Sequence, residues 1–570
     1  MKIIERRAPA AAREKLEQAG LHPLLARLYA ARRIASAAET ANEFTNLLPP
    51  AQLLHCERAA VLLADAIAAG KRLLVVADYD ADGATACAVG VRALRQMGAT
   101  VDYIVPDRVA LGYGLSPELV DLAAERGPDL LITVDNGIAS LEGVARARKL
   151  GIGTLITDHH LPGEALPEAD CIVNPNQPGC PFPSKSIAGV GVMFYVMLAL
   201  RAELRKRGRF AAGREPNLAA LADLVALGTV ADVVPLDANN RILVAQGLKR
   251  LRAGGAKAGI AALMAAGGRD VSRASCFDLG FIVGPRLNAA GRLADMGLGI
   301  ECLVTDDPSR AANCARELDQ LNRERRRIET GMLEQALAAL EGTAGLGDSA
   351  GATVTLFKDT WHQGVVGLIA SRVREKTHLP TICFAPAGNG QLRGSGRSIP
   401  TLHLRDCLDL VAKRAPGLVL RFGGHAQAAG LTILEKDLAR FRELFERTTA
   451  ALLPEAARLR VVETDGELEP AYHSLEVAQM LEAQIWGQGF PQPLFCATFA
   501  VESQHVVGER HLKLKLRFAG PSHDGRRLEA MRFNSSEFLP ASIRAAYRIG
   551  VNEFNGLRRP QITLEAVEPG

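Results

Sequence analysis

None of the ten cysteines in this 570-residue chain forms a Cys-x-x-Cys pair, and none has the spacing of a zinc knuckle. That disfavours a disulfide framework and a structural thiolate metal site, and a reducing compartment fits best. No apolar run reaches the roughly 20 residues needed to span a bilayer. The most apolar stretch, residues 187–200, has 14 residues and reads as a buried core helix. The N-terminus, Met-Lys-Ile-Ile-Glu-Arg-Arg, leads into charged, alanine-rich sequence rather than an apolar signal core, so a cytoplasmic protein is expected. No period recurs often enough for a repeat array.

What is present is ordinary folded material, 48% hydrophobic and 23% charged, long enough for roughly three or four domains. The net charge of +4 hides an asymmetry: residues 508–560 carry eleven Lys or Arg against five acids, leaving the remainder at −2. A basic C-terminal region suits a polyanionic partner, although a solvated basic face gives the same count.

Apolar runs at residues 73–77, 101–105, 130–134 and 152–156 alternate with helix-length stretches at 84–97, 116–126 and 139–150. Ser116-Pro117-Glu118 supplies an N-cap with a first-turn proline, and Gly151 a C-terminal stop. The pattern predicts an α/β fold with a doubly wound parallel sheet, whose ligands gather beyond the carboxyl ends of the strands. Three clusters stand at such ends: Asp78-Tyr79-Asp80-Ala81-Asp82-Gly83, Asp135-Asn136-Gly137 and Asp158-His159-His160. A capping turn explains one aspartate of the first cluster, not three, because adjacent carboxylates repel unless a cation neutralises them. Asp223, inside the apolar helical run 218–227, is costly to bury unless paired or metal-bound, and Asp232 stands in a similar setting. Mixed Asp and His ligands favour Mn²⁺ or Mg²⁺. Two such ions about 4 Å apart would activate water and stabilise a phosphoryl group under in-line attack.

Further on, residues 308–340 carry a long charged helical pattern, a second α/β unit opens at 352–357, and short alternating runs from about 459 suggest a small β-barrel. The second unit contains Gly394-Ser395-Gly396-Arg397-Ser398 and Phe422-Gly423-Gly424-His425-Ala426-Gln427-Ala428-Ala429-Gly430.

These clusters, in this order, resemble the motifs of the DHH phosphoesterase superfamily, for which Asp158-His159-His160 is the namesake. The resemblance continues through Pro106-Asp107-Arg108, Gly112-Tyr113-Gly114, Gly284-Pro285-Arg286-Leu287-Asn288-Ala289-Ala290-Gly291-Arg292 and Trp361-His362-Gln363-Gly364-Val365-Val366-Gly367. It is closest to the bacterial branch of single-strand-specific 5′→3′ exonucleases. That implies a DHH domain over residues 46–300 after an N-terminal segment 1–45, and a connecting helix over 301–345. A smaller DHH-associated domain over 346–455 and an OB-type barrel over 456–570 would follow. It implies Asp80, Asp82, Asp135, His159 and Asp223 as ligands of two Mn²⁺ or Mg²⁺ ions, Asp135 bridging, with Asp78, His159 and His160 in catalytic roles. Smaller relatives place a histidine upstream of the first aspartates, where this chain has Val76.

Phosphate contacts are implied for Arg108, Asn288, Arg292, Ser395, Gly396 and Arg397, either phosphate contacts or structural hydrogen bonds for Arg286, His362 and His425, and either base stacking or a place in the barrel core for Phe533, Phe538, Tyr547 and Phe554. The strand would pass between the two catalytic lobes. The implied partners are single-stranded DNA, a single-strand-binding protein and a RecQ-type helicase, with the chain a monomer acting in recombination and repair. Two alternatives stay open from the residues themselves. One is a phosphoesterase of short oligonucleotides or other small phosphate substrates, to which an extra C-terminal module is superfluous. The other is a non-catalytic DNA-binding scaffold, which would have no use for a complete ligand set.

Overall fold

In the computed structural model the described residues are 2–106, 113–211, 213–342, 351–454, 460–508, 510–519 and 527–570. They divide into two compact units. One comprises residues 3–320 and 463–570, the other residues 321–462 with the extreme N-terminus.

The larger unit is built on five strands: β1 (Arg72–Ala77), β2 (Thr100–Ile104), β3 (Leu130–Val134), β4 (Gly153–Thr157) and β5 (Cys171–Val173). All pair in parallel, in the order β2-β1-β3-β4-β5. The first four coincide with the predicted apolar runs. β5 is three residues long, too short for a periodicity signal. The chain order reverses between β1 and β3, the topological switch point at which doubly wound sheets bind ligands. Val76 faces the core with Leu74, Leu131 and Ile156. It is buried hydrocarbon, so no donor stands where smaller relatives have a histidine.

Helix α1 (Ala81–Gln96) starts three residues earlier than its apolar pattern suggests, because Asp80 caps it by accepting from the N–H groups of Asp82 and Gly83. Asp82 therefore sits in the first helical turn. The run at 187–200 forms α2 (Gly189–Lys206), which packs on α1. Next come α3 (Ala222–Ala231), α4 (Ala258–Ala266), a π-helix Asp278–Val283, α5 (Gly284–Leu293) and the long α6 (Pro308–Gly342). Among the described residues no helix is long and apolar enough to cross a membrane.

In the smaller unit, β6 (Val354–Phe357) pairs in parallel with β7 (Thr381–Gly388), and β8 (Gln391–Arg397), β9 (Arg421–Gly424) and β10 (Ala428–Leu434) complete an otherwise antiparallel sheet. The two glycine-rich segments thus lie in strands. Gly394 and Gly396 lie in the central strand β8, where a β-carbon on Gly394 would lie 2.5 Å from Phe384 and one on Gly396 2.8 Å from Leu404. The Phe422–Gly430 motif is the β9–β10 hairpin.

The C-terminal strands β11 (Phe495–Val507), β12 (His511–Phe518), β13 (Arg527–Arg532), β14 (Ser542–Phe554) and β15 (Leu557–Pro569) close into a barrel. Tyr547, expected to stack on bases, is buried, with its hydroxyl 2.9 Å from His473 Nε2. It belongs to the barrel core because its ring packs on Phe499 and Phe495. Phe533 and Phe538 are exposed as a stacking role requires, and the Phe554 side chain lies outside the described residues.

The N-terminal segment joins the sheet domain to the barrel. Buried Arg32 grips Asp465 with two nitrogens at 2.9 and 3.0 Å and donates also to the carbonyls of Leu28 and Pro491. On the other side, Leu48 N–H donates to Asn239 and Arg241 donates to the Glu39 carbonyl. A guanidinium left here without its carboxylate is a buried unpaired charge, worth about 3–5 kcal/mol. Asp465 also accepts from Arg6 and from Leu494 N–H, so Asp465→Ala should lose at least that much in urea unfolding, and an Arg32→Met, Asp465→Leu double variant should recover only the part due to Arg32.

Candidate metal centre

The three clusters meet at the switch point. Asp78 follows β1, Asp135 follows β3, and Asp158 to His160 follow β4. Asn136 ties the first two strand ends together, its side-chain amide donating to the carbonyls of Val76 and Val134. Asp135 adopts a left-handed backbone with φ of 63°, a region aspartate tolerates better than most residues. This turns its carboxylate inward. A β-carbon on Gly189 would lie 2.7 Å from Asp135 Oδ1, so only glycine leaves that carboxylate its place.

His159 Nε2 lies 3.1 Å from Asp135 Oδ1, 3.5 Å from Asp232 Oδ2 and 4.0 Å from Asp82 Oδ2. Three sets have ligand atoms within 4.8 Å of one another: Asp78, Asp80 and Asp135; Asp82, His159 and Asp232; and Asp135, His159 and His160. Asp135 Oδ1 is buried with no hydrogen bond among the described residues. An all-oxygen-and-imidazole donor set around such an orphaned carboxylate oxygen fits a divalent cation such as Mn²⁺ or Mg²⁺.

Asp82 is held rigidly, its two oxygens accepting from the N–H groups of Gly189 at 2.7 Å and Val190 at 2.9 Å, at the positive end of the α2 dipole. Asp158 is an orienting residue: its oxygens accept from the N–H groups of Ile138, His159 and His160, and Oδ1 lies 2.8 Å from His160 Nδ1. This fixes the orientation of the His160 ring. Tyr113, seen in the sequence only as part of a glycine motif, donates its hydroxyl to the Asp135 carbonyl and lies 3.1 Å from His160 Nδ1.

Asp223 lies elsewhere. Its oxygens accept from the N–H groups of Leu224 and Lys257, so it closes the start of α4. It opens α3 while Asp232 follows its last turn. Nine residues at about 1.5 Å each put them roughly 13 Å apart. The expectation for Asp223 therefore passes to Asp232. Apolar surroundings marked both aspartates in the sequence; which end of the helix points at the switch point is a matter of packing.

Arg286 donates to Asp319 at 2.8 and 3.0 Å and to the Ile282 carbonyl, so its charge is committed to a buried ion pair rather than to a phosphate. Asn288 accepts from Ala81 N–H at 2.8 Å and positions the first cluster. Arg292 is half-buried on α5. Arg108 lies outside the described residues.

In the smaller unit, Arg397 donates to Ser395 Oγ at 3.1 Å. A β-carbon on Gly367, in the first turn of helix α7 (Val366–Thr377), would lie 2.9 Å from that hydroxyl and 3.1 Å from the guanidinium. A hydroxyl, a guanidinium and a helix N-terminus thus converge beside Gly396, a combination suited to an anion. His362 is exposed, with Nδ1 accepting from Gly364 N–H, and His425 is exposed in the β9–β10 turn.

Burial is the main force on the carboxyls of the metal-free site. It pushes Asp82 up to about 7, with the Asp80 charge adding to it. Asp135 and Asp232 are raised well above the usual range by burial and then by Asp82 and Asp80. Burial opposes charge on His160 too, but the Asp158 hydrogen bond and charge outweigh it and raise His160 to about 9.

Family comparisons agree with this architecture. Residues 72–229 match the DHH family N-terminal domain, 349–451 the DHHA1 domain and 464–566 the RecJ OB domain. The chain is a DHH-type phosphoesterase with an appended OB domain. It is 49% identical over 561 residues to the single-stranded-DNA-specific exonuclease RecJ of Escherichia coli (strain K12), covering 97% of this chain and 96% of that protein. The crystal structure of RecJ in complex with Mn²⁺ from Thermus thermophilus superposes with a TM-score of 0.81 at 30% identity, covering 100% of this chain and 79% of that one. The Mg²⁺ complex from the same source gives 0.77 at 28% identity, covering 100% and 78%. The chain belongs to the RecJ family.

Over the whole matched OB segment, 464–566, twelve acids face eleven bases, so the basic surplus is confined to the window 508–560. Arg517 and Arg527 pair with Glu502, and Arg548 with Glu565, acids that fall outside that window. Net charge therefore does not single this domain out as a polyanion binder.

A carboxyl whose folded value is raised stabilises the fold below its unfolded value of about 4 and loses that contribution as pH rises through about 7. The metal-free protein should therefore lose thermal stability across that window. Mn²⁺ should restore it, with an increment in Tm that grows with pH because binding displaces protons. Calorimetric melts with and without Mn²⁺ test this, and a pH-independent increment would contradict it.

Proposed function

We propose that the chain is a divalent-metal-dependent, single-strand-specific 5′→3′ exodeoxyribonuclease that releases 5′-mononucleotides, working in the cytoplasm in recombination and repair with a single-strand-binding protein and a RecQ-type helicase. The observation that carries the reading is the convergence of five carboxylates and His159 at the switch point of a DHH sheet. Near full-length identity to RecJ supports it. Asp78, Asp80, Asp82, Asp135, His159 and Asp232 would hold two Mn²⁺ or Mg²⁺ ions. When bound, the ions supply Lewis-acid activation of water and neutralise charge on the phosphodiester.

The chain's own residues prepare this chemistry. The α2 N–H groups hold the Asp82 carboxylate, and the left-handed turn aims that of Asp135. Asp158 keeps His160 protonated and oriented, so that its Nε2–H can contact the scissile phosphate. Ser395, Gly396 and Arg397, with the first turn of α7, bind the 5′-terminal phosphate and so set direction. Arg292, His362 and His425 remain candidates for phosphate contacts, as does Arg108.

Strands labelled at either end, single and double, should be digested with Mn²⁺ and with Mg²⁺. Loss from the 5′ end of single strands is expected; loss from the 3′ end, or equal attack on blunt duplex, would overturn the reading. Asp135→Ala should be inert. Arg397→Ala should lose about 10- to 100-fold in kcat/KM on 5′-phosphorylated ends, the cost of one charged hydrogen bond. Unchanged end preference in that variant would remove Arg397 from the site.

A further inference from the structure

Two phenylalanines stand in water on the segment that packs against the helix leading to the metal centre. Phe277 is 53% and Phe281 64% exposed, and their rings stack with centroids 5.0 Å apart and planes 22° from parallel. The Arg269 guanidinium lies 5.7 Å from the Phe277 ring centroid. Such a pair leaves apolar surface unburied that a fold would ordinarily cover, which marks a binding surface.

The backbone that carries it is equally unusual. Residues 278–283 form a π-helix, a rare element that recurs at functional sites. At one end it presses on the last turn of α3: a β-carbon on Gly280 would lie 3.2 Å from Val230, and one on Gly284 3.1 Å from Ala231. Asp232 of the metal centre comes next, followed by Val233, 60% exposed and held at φ of 62°. That is a strained conformation for a β-branched residue. At the other end, four residues before Phe277, Arg273 donates to Glu553 of barrel strand β14 at 2.6 Å. The aromatic pair therefore lies on a segment that touches both the barrel and the helix leading to the metal centre.

We infer that Phe277 and Phe281 are a base-stacking platform for single-stranded DNA on its route between the OB barrel and the metal centre, with Arg269, paired to Asp278 at 3.1 Å, bracing the Phe277 ring. The inference rests on the exonuclease reading. Aromatic faces accept any base, so the platform adds affinity without sequence preference. The choice of a nucleic-acid occupant rests on the two stacked, exposed rings, which offer flat faces to bases, and on a segment that touches the OB barrel.

The test uses the full-length chain with a Phe277→Ala, Phe281→Ala double variant, a Phe→Leu pair and a Phe→Trp pair. Substrates are single strands long enough to reach the barrel, the same strands carrying abasic residues, and a 5′-phosphorylated dinucleotide. The alanine pair should raise KM on long strands about tenfold, with kcat unchanged and no effect on the dinucleotide. The tryptophan pair should retain the wild-type KM, and abasic strands should erase the difference between wild type and the alanine pair. An unchanged KM in the alanine pair overturns the inference. So does a leucine pair that behaves as wild type, which would indicate an apolar protein contact, and so does an equal loss on the dinucleotide, which would indicate a structural defect. If the exonuclease reading itself failed, the wild-type chain would digest none of the strands.

Discussion

Five aspartates gathered at one point of a sheet repel one another, and the rest of the catalytic unit is arranged to make that tolerable. Burial raises Asp82, Asp135 and Asp232, and neighbouring carboxylates strengthen the effect. Backbone N–H groups at the start of α2 offset part of the cost at Asp82. The imidazole of His159 faces three of the carboxylates at once. The resulting donor set, carboxylates and imidazole, suits a divalent cation. Stability without metal and chemistry with metal are therefore linked through the same charges.

Close backbone approach serves the same end. Gly189 makes room for Asp135, and a β-carbon on Gly228 would lie 2.9 Å from Asp82 Oδ1. On the far side of the cluster, a β-carbon on Gly291 would overlap the Tyr79 carbonyl. Three helices thus crowd onto one strand-end cluster through glycine. Outside it, the N-terminal segment holds the sheet domain and the barrel in one body through Arg32 and Asp465.

Much of this was legible in the sequence. Each of the first four strands is a short apolar run ending in a turn, and the Asp and His clusters lie immediately after three of them. Local pattern is enough there, because strand ends and side-chain identity are both local properties. The choice between Asp223 and Asp232 was not legible: both sit in apolar surroundings, and only the packing of α3 brings its C-terminal end to the switch point. The glycine-rich stretch around Ser395 carries no local mark of a central strand, because glycine usually belongs to turns. Its glycines instead leave room for Phe384, Leu431 and Leu404 in a central strand. Arg286 looked like a phosphate ligand until its partner Asp319, 33 residues away, took its charge.

The sequence by itself determined the fold class, the order of domains and the chemistry of the donor atoms, because periodicity and side-chain type are written residue by residue. Only the tertiary structure decided which carboxylates come together, which arginine is spent on a structural pair and which aromatics stay in water. Those outcomes depend on distances between residues far apart in the chain, set by helix packing and by the handedness of the parallel crossovers.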